Sequence, residues 1–264
     1  FMDATPNADA LSIVVMAAGK GTRMKSALPK VLHLLAGRSL LHHVLASTAG
    51  LGASRTIVIT GHEAARVEAA TAGIDRLRCV RQEPQLGTGH AVQQAVPHLG
   101  DQGSTLILNG DVPLIEAATA RALVAACGGT KLALLTIALA DASGYGRIVR
   151  NDKQEVRAIV EHKDASDEQR TIREIYTGML AAPTAWLKRA VMALKNDNVQ
   201  REFYLTDIVA MAVAEGVAVV ATQARNETEV LGVNSPLQLA DLERRFQRRQ
   251  AEALMEAGVR LADP

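Results

Sequence analysis

At 264 residues and 48% hydrophobic, the chain is long enough to bury a substantial core, as one large domain or one domain with an appendage. Charged residues make up 22% and cancel to a formal net charge of +1. That balance offers no global field for nucleic acid or an anionic membrane, but it permits a local phosphate site. No stretch reaches the roughly 20 uncharged apolar residues of a membrane span, and residues 1–10 lack the basic flank and apolar run of a signal peptide. Phe1 before Met2 reads as a vector-derived remnant, so residues 1–10 are expected to be a disordered or vector-derived tail. Cys79 and Cys127 stand in apolar stretches without CxxC spacing, as buried reduced thiols of a soluble, cytoplasmic protein would.

In chain order, residues 11–16 (LSIVVM), 56–60 (TIVIT), 77–80 and 105–108 read as buried strands. Helical patterns lie between them near 39–49, 63–70, 89–96 and 115–126. Strand–helix–strand alternation at this spacing predicts an α/β fold, a Rossmann-like, mostly parallel sheet flanked by helices. Ligands of such sheets collect beyond the carboxyl ends of the strands. The second half is less regular. Residues 132–139 and 155–160 read as strands flanking a turn-rich stretch at 143–146, and 172–180 as another strand, followed by a helix that Pro183 starts. A helix over 204–215 and a strand over 217–221 restore the alternation. A long C-terminal helix is expected over 236–257, with Leu237, Leu239, Leu242, Phe246 and Leu254 as a partial apolar stripe. Arg244, Arg245, Arg248 and Arg249 crowd its other side, where no aromatic platform accompanies them, so a solvated face is expected rather than an RNA-binding one.

The strongest chemical signal follows the first strand: AAGKGTRM over 17–24. A glycine-rich turn there exposes backbone N–H groups to phosphate oxygens, and Arg23 adds a donor fork suited to a triphosphate. The dinucleotide fingerprint would need glycine at Met24, and a P-loop would need GK[ST] after four intervening residues, so neither fits. A tight turn alone explains the glycines but not Lys20, Arg23 and Lys30 together. Leu28-Pro29-Lys30 fixes the chain just before an ammonium that could neutralise an α-phosphate.

The run AAGKGTRM–x4–PKVLH resembles the signature of the sugar-nucleotide pyrophosphorylases, G-x-G-T-R-[ML] followed by P-K. The resemblance continues through QLGTGHA (85–91), GDVPL (110–114), GYGRI (144–148), IVEHKD (159–164), YLTDI (204–208) and GVN (232–234). These match best the N-terminal half of the bifunctional N-acetylglucosamine-1-phosphate uridyltransferase/glucosamine-1-phosphate acetyltransferase family, from about residue 11 to the end. The resemblance implies a nucleotide-diphospho-sugar transferase fold and the reaction of UTP with N-acetylglucosamine 1-phosphate, giving UDP-N-acetylglucosamine and pyrophosphate. It implies a nucleotidyltransferase domain over 11–234 and a connecting helix over 235–264. Beyond that helix the family has a β-helix of hexapeptide repeats that acetylates glucosamine 1-phosphate from acetyl-CoA and forms a homotrimer. The repeats are not in this sequence, which favours a fragment.

The resemblance also implies roles. Arg23, Lys30 and Asp111 are the expected catalytic residues. The nucleotide is expected at Met16, Ala17, Ala18, Gly19, Lys30, Gln82, Gly87, Thr88, Asn109, Gly110 and Asp111, with Gln82 and the Gly87-Thr88 pair on the uracil. The sugar is expected at Gly146, Glu161, Tyr176 and Asn234, and Mg2+ on Asp111 and Asn234. By residue chemistry alone, Gln82 could be an exposed loop glutamine, Asp111 a helix cap and Asn234 a turn residue. Two positions depart from the pattern. Tyr176-Thr177-Gly178 stands for Asn-Thr-Gly, and Asn109-Gly110-Asp111 for Tyr-Gly-Asp. At 176 either the hydroxyl keeps a hydrogen bond or the ring packs on the sugar face.

Overall fold

The structure, a computed structural model, describes residues 11–263, so the expected tail over 1–10 lies outside the described residues. The first strand, β1 (Ser12–Met16), is apolar on both faces and buried. A hairpin of two short strands, β2 (Leu34–Leu35) and β3 (Arg38–Ser39), leads into α1 (Leu40–Thr48), whose first turn is capped where the His42 N–H donates to Ser39 Oγ at 3.2 Å. Then come β4 (Arg55–Thr60), α2 (Ala64–Ala70), β5 (Leu77–Arg81), α3 (Thr88–Ala95), β6 (Ser104–Asn109) and α4 (Ala117–Cys127). The second half holds β7 (Leu132–Ala138), β8 (Gly146–Arg150), β9 (Val156–Val160), α5 (Asp167–Arg170), β10 (Glu174–Pro183), α6 (Thr184–Met192), α7 (Ile208–Ala214), β11 (Val219–Gln223) and α8 (Pro236–Glu256).

Among the described residues the main sheet has nine strands, ordered β11-β7-β10-β6-β1-β4-β5, with β8 pairing to β10 and β9 to β8. β10 is antiparallel to β6 and β7, and the other pairings along that order are parallel. Alternate residues of each strand feed two cores. Val14 and Ile107 face the helices on one side, while Ile13, Val15, Leu106 and Leu108 face those on the other. Both faces are covered, so the central strands read as unbroken hydrophobic runs, and each fully buried Val, Leu or Ile contributes about 1.5–3 kcal/mol.

The chain leaves β1 for β4 and β5 on one side, then returns to place β6 on the other. Strand order therefore reverses between β1 and β6, and a crevice opens beyond their carboxyl ends. Hydrogen bonds from the Gly110 N–H to Met16 O at 2.9 Å and from the Ala17 N–H to Ile59 O at 2.8 Å carry the register past the strand ends into that crevice.

Several elements differ from the sequence expectation. The stretch expected to be turn begins β8 at Gly146, because Arg147–Arg150 finds partners on β9 and residues 146–147 on β10. β10 runs on to Pro183, which opposes Ser104 and precedes α6 instead of lying inside it. The helix expected over 204–215 splits into a 3-10 turn, Leu205–Asp207, and α7. On α8, Leu242 is buried against a third small core with Met24, Leu35, Leu40, Leu114 and Val233, whereas Leu237 is 80% exposed and lies outside the packed stripe. The helical repeat carries Leu237 away from the one side of α8 that meets the domain. Cys127 is buried as expected, but Cys79 is only half-buried because β5 is the sheet edge.

Candidate active site

The loop after β1 is built by backbone geometry. Gly21 takes φ 61°, and a Cβ there would stand 2.7 Å from Lys30 Cβ, so the glycine is what lets Lys30 lie against the loop. Met24 pins the loop's 3-10 turn (Thr22–Met24) into the third core. On the facing side the Gln85 amide donates to Ala18 O, and Gly61 leaves the space for it, since a Cβ there would lie 2.5 Å from Gln85 Nε2.

Between these loops lies a cleft of ≈ 600 Å³. Met16, Ala17, Ala18, Gly19, Lys30, Gln82, Gly87, Thr88, Asn109 and Asp111 all line it, and Gly110 stands between the last two. Those residues come from three strand ends, a 3-10 turn and one helix start, so the fold brings together the group expected to hold a nucleotide. Pro84, Gln85 and Glu202 also line the cleft and carry no role read from sequence. Gln85 opens the QLGTGHA run, and Pro84 and Glu202 had only their nearness to that run and to YLTDI as a sequence signal.

Gln82 follows the end of β5 and is 5% exposed, not an exposed loop glutamine. Its amide nitrogen donates to Gly87 O at 2.9 Å and lies 3.2 Å from His90 Nδ1. Burial holds the His90 imidazole below its ordinary pKa, against a hydrogen bond to the Pro84 backbone that raises it, and so favours the neutral ring. With the nitrogen engaged, the carbonyl end of Gln82 is the end free to meet a ligand. The Thr88 hydroxyl at the start of α3 accepts from the Leu205 N–H at 3.0 Å and keeps one donor hydrogen. Asn109 closes the end of β6 by donating to Thr177 O at 3.4 Å.

Two of the lining residues, Lys30 and Asp111, meet a third expected residue, Asn234. The Lys30 ammonium pairs with Asp111 Oδ2 and donates to Asn234 Oδ1 at 2.8 Å, with side-chain exposures of 12% for Lys30 and 21% for Asp111. Asn234 reaches this point because the Val233 N–H donates to Asp111 O at 2.9 Å. Arg23 is exposed on its 3-10 turn and is not among the residues that line the cleft.

Gly146 on β8, Glu161 just past the end of β9 and Tyr176 on β10 form a separate group, outside the cleft lining. Gly146 opposes Tyr176, and a Cβ at Gly146 would lie 2.8 Å from Ile159 Cγ2 and 3.6 Å from the Glu161 carboxylate. The Tyr176 ring belongs to the core on that face, 6% exposed, and its buried hydroxyl has no hydrogen-bond partner among the described residues. The hydroxyl therefore spends none of its hydrogen-bonding capacity within the described residues. Glu161 accepts from Thr206 Oγ1 at 3.1 Å. Burial holds its carboxyl above the usual range, with Asp164, Asp207 and Glu202 adding to the effect and the Thr206 bond opposing it.

That raised carboxyl has a stability consequence. The folded state binds this proton more tightly than the unfolded chain does, so the contribution is full below the unfolded pKa of about 4.3. It is lost as pH rises through the folded value. Glu161→Gln is expected to melt near the wild type at pH 4 and progressively above it toward pH 7.5 in thermal scans. A wild type that gains on the variant as pH rises contradicts this.

The family described as the MobA-like NTP transferase domain matches residues 13–261. The chain is 72% identical over 260 residues to a Methylibium petroleiphilum protein named "Bifunctional protein GlmU", covering 96% of this chain and 56% of that one. It is 62% identical over 263 residues to the protein of the same name from Polaromonas naphthalenivorans, again 96% of this chain and 56% of the other. The chain thus spans little more than half the length of these curated relatives. Among solved structures it is similar to a UDP-glucose pyrophosphorylase complexed with UDP-glucose, at TM-score 0.75 and 16% identity, covering 91% of this chain and 99% of that one. It is also similar to a nucleotidyl transferase from Methanothermobacter thermautotroptrophicus, at TM-score 0.64 and 22% identity, with the same coverage. At these identities the likeness to solved structures is one of fold.

Proposed function

The chain belongs to the MobA-like NTP transferase family, and from that premise we propose that it is the uridyltransferase joining N-acetylglucosamine 1-phosphate to UTP, with release of pyrophosphate. The observation that carries this reading is that Lys30 and Asp111, which line a cleft together with the glycine-rich loop, Gln82 and Gly87, meet Asn234. The name of the relatives above 60% identity agrees with it.

The uracil is assigned to Gln82, Gly87 and Thr88, where the free carbonyl of Gln82 can accept from the base and the helix start presents backbone donors. The phosphates are assigned to residues 16–19 and 109–111, whose small side chains permit close backbone approach. The sugar is assigned to Gly146, Glu161, Tyr176 and Asn234. A sugar 1-phosphate is already anionic at pH 7, so no general base is required. Its phosphate oxygen attacks the α-phosphorus in line, the new P–O bond forms, and the bond to pyrophosphate breaks. The protein supplies alignment and charge neutralisation, with Lys30 on the transferring group and Arg23 on the leaving one. Arg23 must swing in from its exposed turn to take that role.

The cofactor is a divalent cation, and we assign Mg2+. Asp111 and Asn234 fit it, since their two oxygens already converge on one cationic centre, the Lys30 ammonium. Two protein oxygens suit an ion that keeps waters and phosphate oxygens as its other ligands. When bound, Mg2+ offsets phosphate charge that Lys30 and Arg23 alone leave uncompensated.

For the longer protein we propose cytoplasmic localisation, acetylation of glucosamine 1-phosphate from acetyl-CoA, and a homotrimer. Among the described residues no helix is long and apolar enough to cross a membrane.

A steady-state panel of UTP, dTTP, CTP and ATP against several sugar 1-phosphates, read by pyrophosphate release, tests the assignment. The highest kcat/KM is expected for UTP with N-acetylglucosamine 1-phosphate. Preference for another pair makes the chain a different pyrophosphorylase, and no turnover with any pair makes it a nucleotide-binding module.

A further inference from the structure

The two side chains assigned to the divalent ion are joined by a cation of the protein's own. Lys30 Nζ contacts Asp111 Oδ2 and Asn234 Oδ1 together, across 81 and 204 positions of sequence. Its backbone is well held: buried Pro29 precedes it, Lys30 itself opens a 3-10 turn (Lys30–Leu32), and Gly21 lies against its Cβ. Lys30 also lines the nucleotide cleft, so the same flexible stem that reaches the oxygen pair can reach a phosphate.

We infer that Lys30 is an internal competitor for the divalent ion, holding the Asp111–Asn234 pair until a nucleotide phosphate takes over its ammonium. This rests on the metal reading proposed above. An ammonium and a divalent ion cannot share two oxygens without close like-charge repulsion, which is strong in a partly buried site. A triphosphate offers the ammonium several charged acceptors in place of one carboxylate and one amide. Once the lysine turns to them, the pair is released to the ion. Nucleotide and ion therefore bind with positive coupling, each raising the affinity for the other by the same factor. The lysine serves twice: its contact with Asp111 keeps a carboxylate compensated, and its transfer to the phosphate delivers charge to the reacting group.

The test needs no turnover. Mn2+ is titrated into nucleotide-free protein, and the free ion is followed by its electron paramagnetic resonance signal. Lys30→Met and Lys30→Gln are each expected to bind Mn2+ about tenfold or more tightly than wild type, because each removes the competing charge. Adding Asp111→Asn to Lys30→Met is expected to abolish that gain. If both lysine variants bind no more tightly than wild type while Asp111→Asn still weakens binding, the competition is overturned and the metal pair stands. If Asp111→Asn changes nothing in either background, the metal reading and the competition fall together. The two lysine variants guard against one failing to fold, checked by its melting transition.

Discussion

Asp111→Ala is expected to lower divalent-metal-dependent pyrophosphate release by on the order of 10³-fold while leaving the fold intact. Asp111 follows directly from the end of β6, at the strand reversal beside β1, and supplies the only formal charge of the oxygen pair on Lys30. Among the described residues no group of three or more His, Cys, Asp or Glu side chains could take over an ion. The loss is therefore not shared among neighbours. Truncation also leaves Lys30 with one neutral acceptor, Asn234, and frees the ammonium to bind phosphate. The KM for UTP should then change far less than kcat, because ground-state attraction survives while transition-state charge goes unmatched. Asp111→Asn, which keeps the shape, should lose nearly as much. Turnover within a few-fold of wild type in either variant removes Asp111 from the chemistry.

Gly87→Ala is expected to damage both stability and nucleotide binding. Gly87 caps α3 at φ 104° and ψ 175°, a conformation essentially closed to residues with a Cβ. An added Cβ would meet Phe203 O at 2.7 Å and Phe203 N at 3.0 Å. Those are backbone atoms, held by the Phe203 N–H donating to Leu86 O at 2.8 Å and the Gly89 N–H donating to Phe203 O at 2.7 Å, so they cannot step aside singly. Backbone strain and the clash together should remove about 3 kcal/mol in denaturant unfolding. The part that survives should bind UTP at least tenfold more weakly, since Gly87 O is the acceptor that orients the Gln82 amide. A variant with wild-type stability would mean that the Gly87 backbone relaxes in solution. One with wild-type KM for UTP would place the uracil elsewhere.

Much of this architecture was readable from local pattern. The run at 11–16 is apolar without alternation because β1 is covered on both faces, and it emerged as a central strand. The Gly87-Thr88 start of α3 and the start of α8 at Pro236, capped by Ser235, were likewise carried by residue types with local conformational meaning. β8 was missed because five residues opening on Gly146, just after Gly144, carry too little pattern to outvote a turn, and its partners on β9 and β10 are supplied by the sheet. Leu237 and Leu242 share the same apolar character on α8, yet only Leu242 is buried. Which leucine packs depends on where the domain surface lies, and no local periodicity encodes that.

The site divides in the same way. The residue types, the glycine-rich loop and the order of the motifs belong to the sequence alone, as does the distinction from the dinucleotide and P-loop patterns. Those features rest on side-chain chemistry and short-range spacing, which a linear chain displays in full. Only the tertiary structure decided that Gln82 is buried with its nitrogen engaged, that Tyr176 points its hydroxyl into the core without a partner, and that Lys30 stands between Asp111 and Asn234. Each of these depends on contacts between elements far apart in the chain. They are set by strand order and register, quantities that the packing of the whole sheet determines.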